Sequence, residues 1–141
     1  MGLSHLSPAP SLAGGRATVN IGLRYLVTVV CAGSAGVHAA LVQPHLRESG
    51  VPLAAAFAAA ALALALMAVA VRRPQHDSWA PACASALLGV LAGAYDRSRS
   101  SGIPLLIGQP EQLDPLGALA TAAELTGAFA GALLISRKDR A

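Results

Sequence analysis

Four apolar stretches separated by short polar clusters account for most of the chain. The first covers residues 21–42 and is broken by Arg24 and His38. The second, 53–71, and the third, 79–95, carry no charge. The fourth, 116–135, holds a single acid, Glu124. A bilayer core about 30 Å thick takes about 20 helical residues, so each stretch fits one crossing, the third with least to spare. Inside lipid the backbone must satisfy its own hydrogen bonds, which makes such stretches helical. A soluble bundle would need polar stripes at helical period, and residues 53–71 have none. The pattern predicts an all-α membrane four-helix bundle with short loops.

The breakers agree with these limits. Pro44 and Gly50-Val51-Pro52 bracket the first connection, where the first helix is expected to end or kink. Arg72-Arg73-Pro74 closes the second helix. Asp114 is placed to cap the fourth, with Pro115 at its first position, where a missing N–H costs nothing. Residues 1–18, with Pro8, Pro10, Gly14 and Gly15, read as a flexible N-terminal tail without a secretory h-region. The transmembrane domain is then 19–136, followed by a basic tail, 137–141.

Composition strengthens the membrane reading. The chain has 141 residues, 55% hydrophobic and 12% charged, about half the charge of an ordinary soluble domain. That excludes a disordered chain and a nucleic-acid module, and it argues against a typical cytosolic enzyme. The lipid bilayer is the first partner it implies, with no nucleic acid. Cys31 and Cys83 form no CxxC pair and no zinc spacing, and read as small buried hydrophobes. The net charge of +3 matters for topology. With both termini on one side, that side holds seven Lys and Arg, at 16, 24, 72, 73, 137, 138 and 140. The other holds Arg47, Arg97 and Arg99. The positive-inside rule places both termini in the cytoplasm and turns the 43–52 and 96–114 connections outward in a multi-pass protein of the cell membrane. Arg24, about one turn into the first helix, can snorkel to the inner surface.

The outward side collects the unusual polar groups. Glu124 lies roughly 12 Å inside the fourth helix at 1.5 Å per residue, where a charged side chain costs about 3 kcal/mol on insertion scales. It must face the interior and be neutralised by a proton, by Arg or His, or by a cation, either as a buried acid that fixes helix register by hydrogen bonding or as a proton, ion or metal site. His38 is about one helical turn nearer the outer surface and within reach. Arg99 or Arg97, coming down from the outer loop, is the other candidate partner. His38, His45 and Glu48 form an H-x6-H-x2-E string. Two imidazoles and a carboxylate would suit a transition metal at the outer face, although interfacial polarity alone also accounts for them. Residues 103–107, apolar and flanked by Gly and Pro, are placed to cover the outer mouth. Gly89/Gly93 and Gly127/Gly131 are GxxxG pairs, and Ala32/Gly36 and Ala35/Ala39 share their spacing. They pack the four helices together or form a homodimer face.

Three short motifs carry a family resemblance: Gly36-Val-His38 with Pro44-His45-Leu-Arg-Glu48, Tyr95-x-x-Ser-Arg99-x-x-Gly102-Ile-Pro104, and Ala122-Ala-Glu124-Leu. Together, over about residues 20–136, they resemble a group of small uncharacterised four-helix integral membrane proteins of high-GC bacteria. The resemblance implies an integral protein of the cell membrane with no established activity. It makes His38, His45, Glu48, Arg99 and Glu124 the matching positions.

No catalytic motif is present, and two functional readings follow. The first is a non-enzymatic accessory or interaction component of the cell envelope, acting in a larger membrane complex. The second is a metal- or proton-handling membrane protein, a small transporter or redox component, that uses the outward His/Glu cluster.

Overall fold

The computed structural model describes residues 13–73, 79–103, 112 and 114–138. Four helices make up the described chain: α1 (Ala13–Glu48), α2 (Val51–Arg72), α3 (Ala80–Ser100) and α4 (Pro115–Lys138). Helices α1 and α2 form one antiparallel hairpin, and α3 and α4 form a second. The hairpins meet mainly through α1 against α4, with a lesser contact of α2 on α3. Three of the helices, α1, α2 and α4, are long and apolar enough to cross a membrane. Helix α3 has 21 residues, which is length enough, but Asp96, Arg97 and Arg99 in its last turns lower its hydropathy.

Helix α1 is longer than the hydrophobic pattern predicts. It begins at Ala13, inside the segment expected to be a tail, and continues through Pro44 to Glu48. Residues 1–12, the rest of that tail, lie outside the described residues, as do the 104–111 part of the expected mouth-covering loop and residues 139–141 of the basic tail. Proline 44 removes one backbone donor, yet the helix does not end there. The turn beyond it is held laterally: the His45 ring stacks on Phe57 of α2 with centroids 4.4 Å apart. The helix then stops where Ser49 and Gly50 both donate their N–H to the His45 carbonyl. Gly50 has φ of 88°, a conformation that costs glycine little and other residues more. It lets α2 start at once.

Helix α3 also outruns its apolar stretch, ending at Ser100 and not near Tyr95. The Ser98 hydroxyl donates to the Tyr95 carbonyl and Ser101 N–H to that of Arg97. Arg97 and Arg99 are therefore helical residues and do not belong to a loop. At the other end of the bundle Arg24 donates from Nη1 to the Val71 carbonyl at 2.9 Å. This supplies one of the donors that the last turn of α2 lacks.

The two halves of the bundle are packed differently. Near the chain termini, the proximal half, small side chains fill the interior: Val27 and Cys31, Leu64, Ala68 and Val71, Ala80, Ala84 and Leu88, Ala130 and Leu134. Close approach is possible because Gly127 and Gly131 have no side chains. A Cβ on Gly127 would fall 2.7 Å from Val30 and 2.8 Å from Leu88, and one on Gly131 3.0 Å from the Pro81 carbonyl. This GxxxG pair packs the bundle itself. Gly89 and Gly93 face open space, with nothing within 4 Å of an added Cβ, and Ala32 and Gly36 are also exposed. Of the two cysteines, Cys31 is fully buried, whereas Cys83 is exposed on α3 and is not the core residue expected. It falls on an outward position of the helix.

These contacts predict opposite outcomes for two glycines. Gly127→Val should overpack the α1–α3–α4 junction and cost about 1–3 kcal/mol. Gly89→Val should change stability by no more than about 0.5 kcal/mol. Thermal unfolding of the detergent-purified variants distinguishes them.

Candidate functional site

The distal half, where α1 hands over to α2 and α3 to α4, is not filled. It forms a half-open cavity of about 400 Å³, within the size range of small-molecule sites. All four helices line it. Its walls are apolar, from Val37, Leu41, Leu53, Ala60, Leu91 and Leu116. Its polar groups are His38, His45, Glu48, Tyr95, Ser98, Arg99, Asp114 and Glu124. The cavity thus gathers all five residues singled out by the motifs: His38, His45, Glu48, Arg99 and Glu124.

Glu124 is 2% exposed. Its Oε1 accepts a hydrogen bond from the Ser34 hydroxyl at 2.5 Å and lies 4.0 Å from His38 Nδ1. The contact expected between Glu124 and His38 is therefore present, with Ser34 between them. Ser34 sits one helical turn before His38, on the same face of α1. His38 Nδ1 is 2.9 Å from the Ser34 carbonyl. A carbonyl can only accept, so Nδ1 carries the proton and Nε2 is the free lone pair of the neutral ring. The Oε2 oxygen of Glu124 has no hydrogen-bond partner among the described residues.

Arg99 is not a partner of Glu124. Its Nη2 donates to Asp114 Oδ2 at 2.7 Å, Nη1 donates to the Gln112 carbonyl, and the guanidinium lies 4.6 Å from the Tyr95 ring centroid. Because α3 continues to Ser100, Arg99 is held at the rim of the cavity. Asp114 has a second task there. Its Oδ1 accepts from Gly117 N–H at 2.6 Å, which is the N-cap expected at the head of α4. Tyr95 packs over Gly117, where a Cβ would collide with the ring, and donates its hydroxyl to the Asp114 carbonyl.

The H-x6-H-x2-E string is spread along the cavity wall. Because α1 is continuous through Pro44, His38 and His45 return to the same face, but Phe57 takes up the space against them. Its ring centroid lies 5.4 Å from that of His38 and 4.4 Å from that of His45. Glu48 is exposed one turn further on. Among the described residues no three His, Cys, Asp or Glu side chains converge to hold a metal ion.

Two participants lie outside the sequence motifs: Ser34 and Phe57. For Ser34 the four-residue spacing to His38 is a usable signal. Phe57 is identified only by what lies across from it.

The two roles of Asp114 can be separated. Asp114→Asn keeps the cap and loses the ion pair, which is half exposed and worth little, so stability should fall by less than about 1 kcal/mol. Asp114→Ala also loses the cap and should cost about 1–2 kcal/mol. Thermal denaturation of both variants against the parent reads the difference.

The chain matches no family model, and neither the curated proteins nor the solved structures contain a match to it.

Proposed function

We propose that this chain is a four-span integral membrane protein of the cell membrane, with both termini cytoplasmic, and that it handles protons as a small transporter through Glu124, Ser34 and His38. The observation that carries this reading is the buried Glu124 carboxylate, bonded to Ser34 and beside His38 at the inner end of a distal cavity.

The surface supports the membrane placement. Large apolar side chains point outward on every helix, among them Leu26 and Val29, Leu62 and Leu66, Val90, and Leu125 and Phe129. In water such a surface would aggregate, whereas lipid solvates it. Exposed Tyr25 and Trp79 lie near the level of Arg24 and Val71, as aromatic anchors do at a membrane interface. Connectivity carries α3 across as well. Helix α2 ends at the proximal end and α4 begins at the distal end, so α3 must traverse the same thickness between them. The Lys and Arg asymmetry then turns the cavity outward.

A carboxylate, a hydroxyl and an imidazole in hydrogen-bonding sequence can pass a proton between the cavity and the protein interior. The Ser34 hydroxyl can both donate and accept, and His38 can take a proton at Nε2. A purely structural accessory would leave this cavity without a task, and a neutral polar residue could fix the helix register at lower cost than an acid in an apolar helix. A second copy or a larger complex would find its packing face at exposed Gly89/Gly93 or Ala32/Gly36.

Two experiments test the proposal. Tags at Ala141 and within the 101–114 connection should be reachable from the cytoplasmic and external sides respectively, and an external C-terminus overturns the orientation. Infrared difference spectra of the purified protein between mildly acidic and mildly alkaline pH should show a buried carboxylic C=O band that titrates. Glu124→Gln should remove that band while the protein stays folded. A spectrum unchanged by Glu124→Gln overturns the proton-handling reading.

A further inference from the structure

We infer that the distal cavity is a binding site for an amphiphilic organic cation, a hydrophobic ammonium or phosphonium, which displaces the proton from Glu124. This rests on the reading of Glu124 as a proton-handling group and names the ligand that shares it.

The charge inventory of the cavity fixes the sign of the ligand. Three carboxylates line it, Glu48, Asp114 and Glu124, against one guanidinium, Arg99. Arg99 is already ion-paired with Asp114 at 2.7 Å. An anionic ligand would therefore meet excess negative charge, and a cation meets an unneutralised carboxylate. The position of that carboxylate fixes where the charge goes. Glu124 is 2% exposed, and its Oε2 has no hydrogen-bond partner among the described residues.

The walls fix the rest of the ligand. Val37, Leu41, Leu53, Leu91, Ile103 and Leu116 present hydrocarbon. A bare metal ion needs several oxygen ligands to replace its water. At the inner end the cavity is lined by the single Glu124 carboxylate and the His38 ring. An organic cation brings its own apolar shell, so the same walls that would reject a hydrated ion solvate it. A volume of about 400 Å³ suits a molecule of drug size.

The proton and the cation compete for one carboxylate. The titratable and charged groups that share the cavity with Glu124 are His38, His45 and Glu48 from α1, Tyr95 and Arg99 from α3, and Asp114 at the head of α4. Helix α2 contributes none among the described residues, only Leu53, Ala56, Phe57 and Ala60. When the cation enters, the Glu124 proton leaves to solvent. No covalent bond forms, and exchange of one proton for one cation leaves the net charge of the site unchanged.

The test uses two ions of the same shape and opposite charge, tetraphenylphosphonium and tetraphenylborate, titrated calorimetrically into the full chain in neutral detergent. The phosphonium should bind at least about tenfold more tightly than the borate. Its affinity should weaken by up to about tenfold per pH unit as pH falls below the titration of Glu124, because one proton is exchanged per cation. Glu124→Gln should abolish the pH dependence and weaken phosphonium binding about tenfold or more. His38→Gln should preserve the pH dependence. Equal binding of both ions overturns the proposal. So does a folded Glu124→Gln that binds like the parent, or a pH dependence lost only in His38→Gln. Should Glu124→Gln fail to fold, Ala60→Phe carries the test. It fills the cavity wall, and undiminished phosphonium binding in that variant overturns the proposal. A titrating infrared band without phosphonium binding overturns this ligand alone, whereas the absence of both overturns the proton-handling reading as well.

Discussion

A carboxylate placed inside an apolar helix bundle has to be met by a donor, and the way Glu124 is met organises the distal half of this protein. The donor is Ser34, on the opposite hairpin. This hydrogen bond fixes the register of α1 against α4 where the two hairpins join. One turn further along, the same face of α1 presents His38 and then His45, both against Phe57 of α2. The hydrogen bond and the ring contacts therefore tie α4, α1 and α2 together along the distal half. Loss of either partner would leave a buried polar group unpaired, which costs more than the bond itself contributes.

The contrast between the two halves of the bundle follows from side-chain size. In the proximal half, alanines and the Gly127/Gly131 pair let helices approach until the interior is full. In the distal half Phe57, Tyr95 and the two histidines are among the residues that line a cavity instead of a filled core. Its rim is fixed separately. Arg99, Asp114, Tyr95 and Gly117 interlock at the head of α4, so the end of α3 is pinned without using Glu124.

Much of this architecture is legible in the sequence. Apolar runs of crossing length dictate helices, because a backbone in lipid has no other way to satisfy its hydrogen bonds. Asp114 followed by Pro115 marks the start of α4 to the residue. A single acid in the last apolar run marks Glu124 as a residue that must face inward. The sequence signal fails at helix ends. Pro44 reads as a terminator because it removes a donor, and the polar residues after Tyr95 read as a loop because they are charged. Both segments are helical, since neighbours outside their own stretch hold them: Phe57 for the turn after Pro44, and Asp114 for Arg99.

By itself, then, the sequence determined the four helices, the apolar exterior and the small set of polar residues that matter, since each follows from local composition and the cost of burying charge. The tertiary structure decided the pairings. Arg99 and His38 were equivalent candidates for Glu124 at the level of depth and reach. Only the register of α1 against α4, and the length of α3, gives Glu124 to Ser34 and His38 and Arg99 to Asp114. The same register places Phe57 against both histidines. Such outcomes depend on which faces meet across a helix interface, and a one-dimensional pattern carries the face of each helix but not the partner it turns toward.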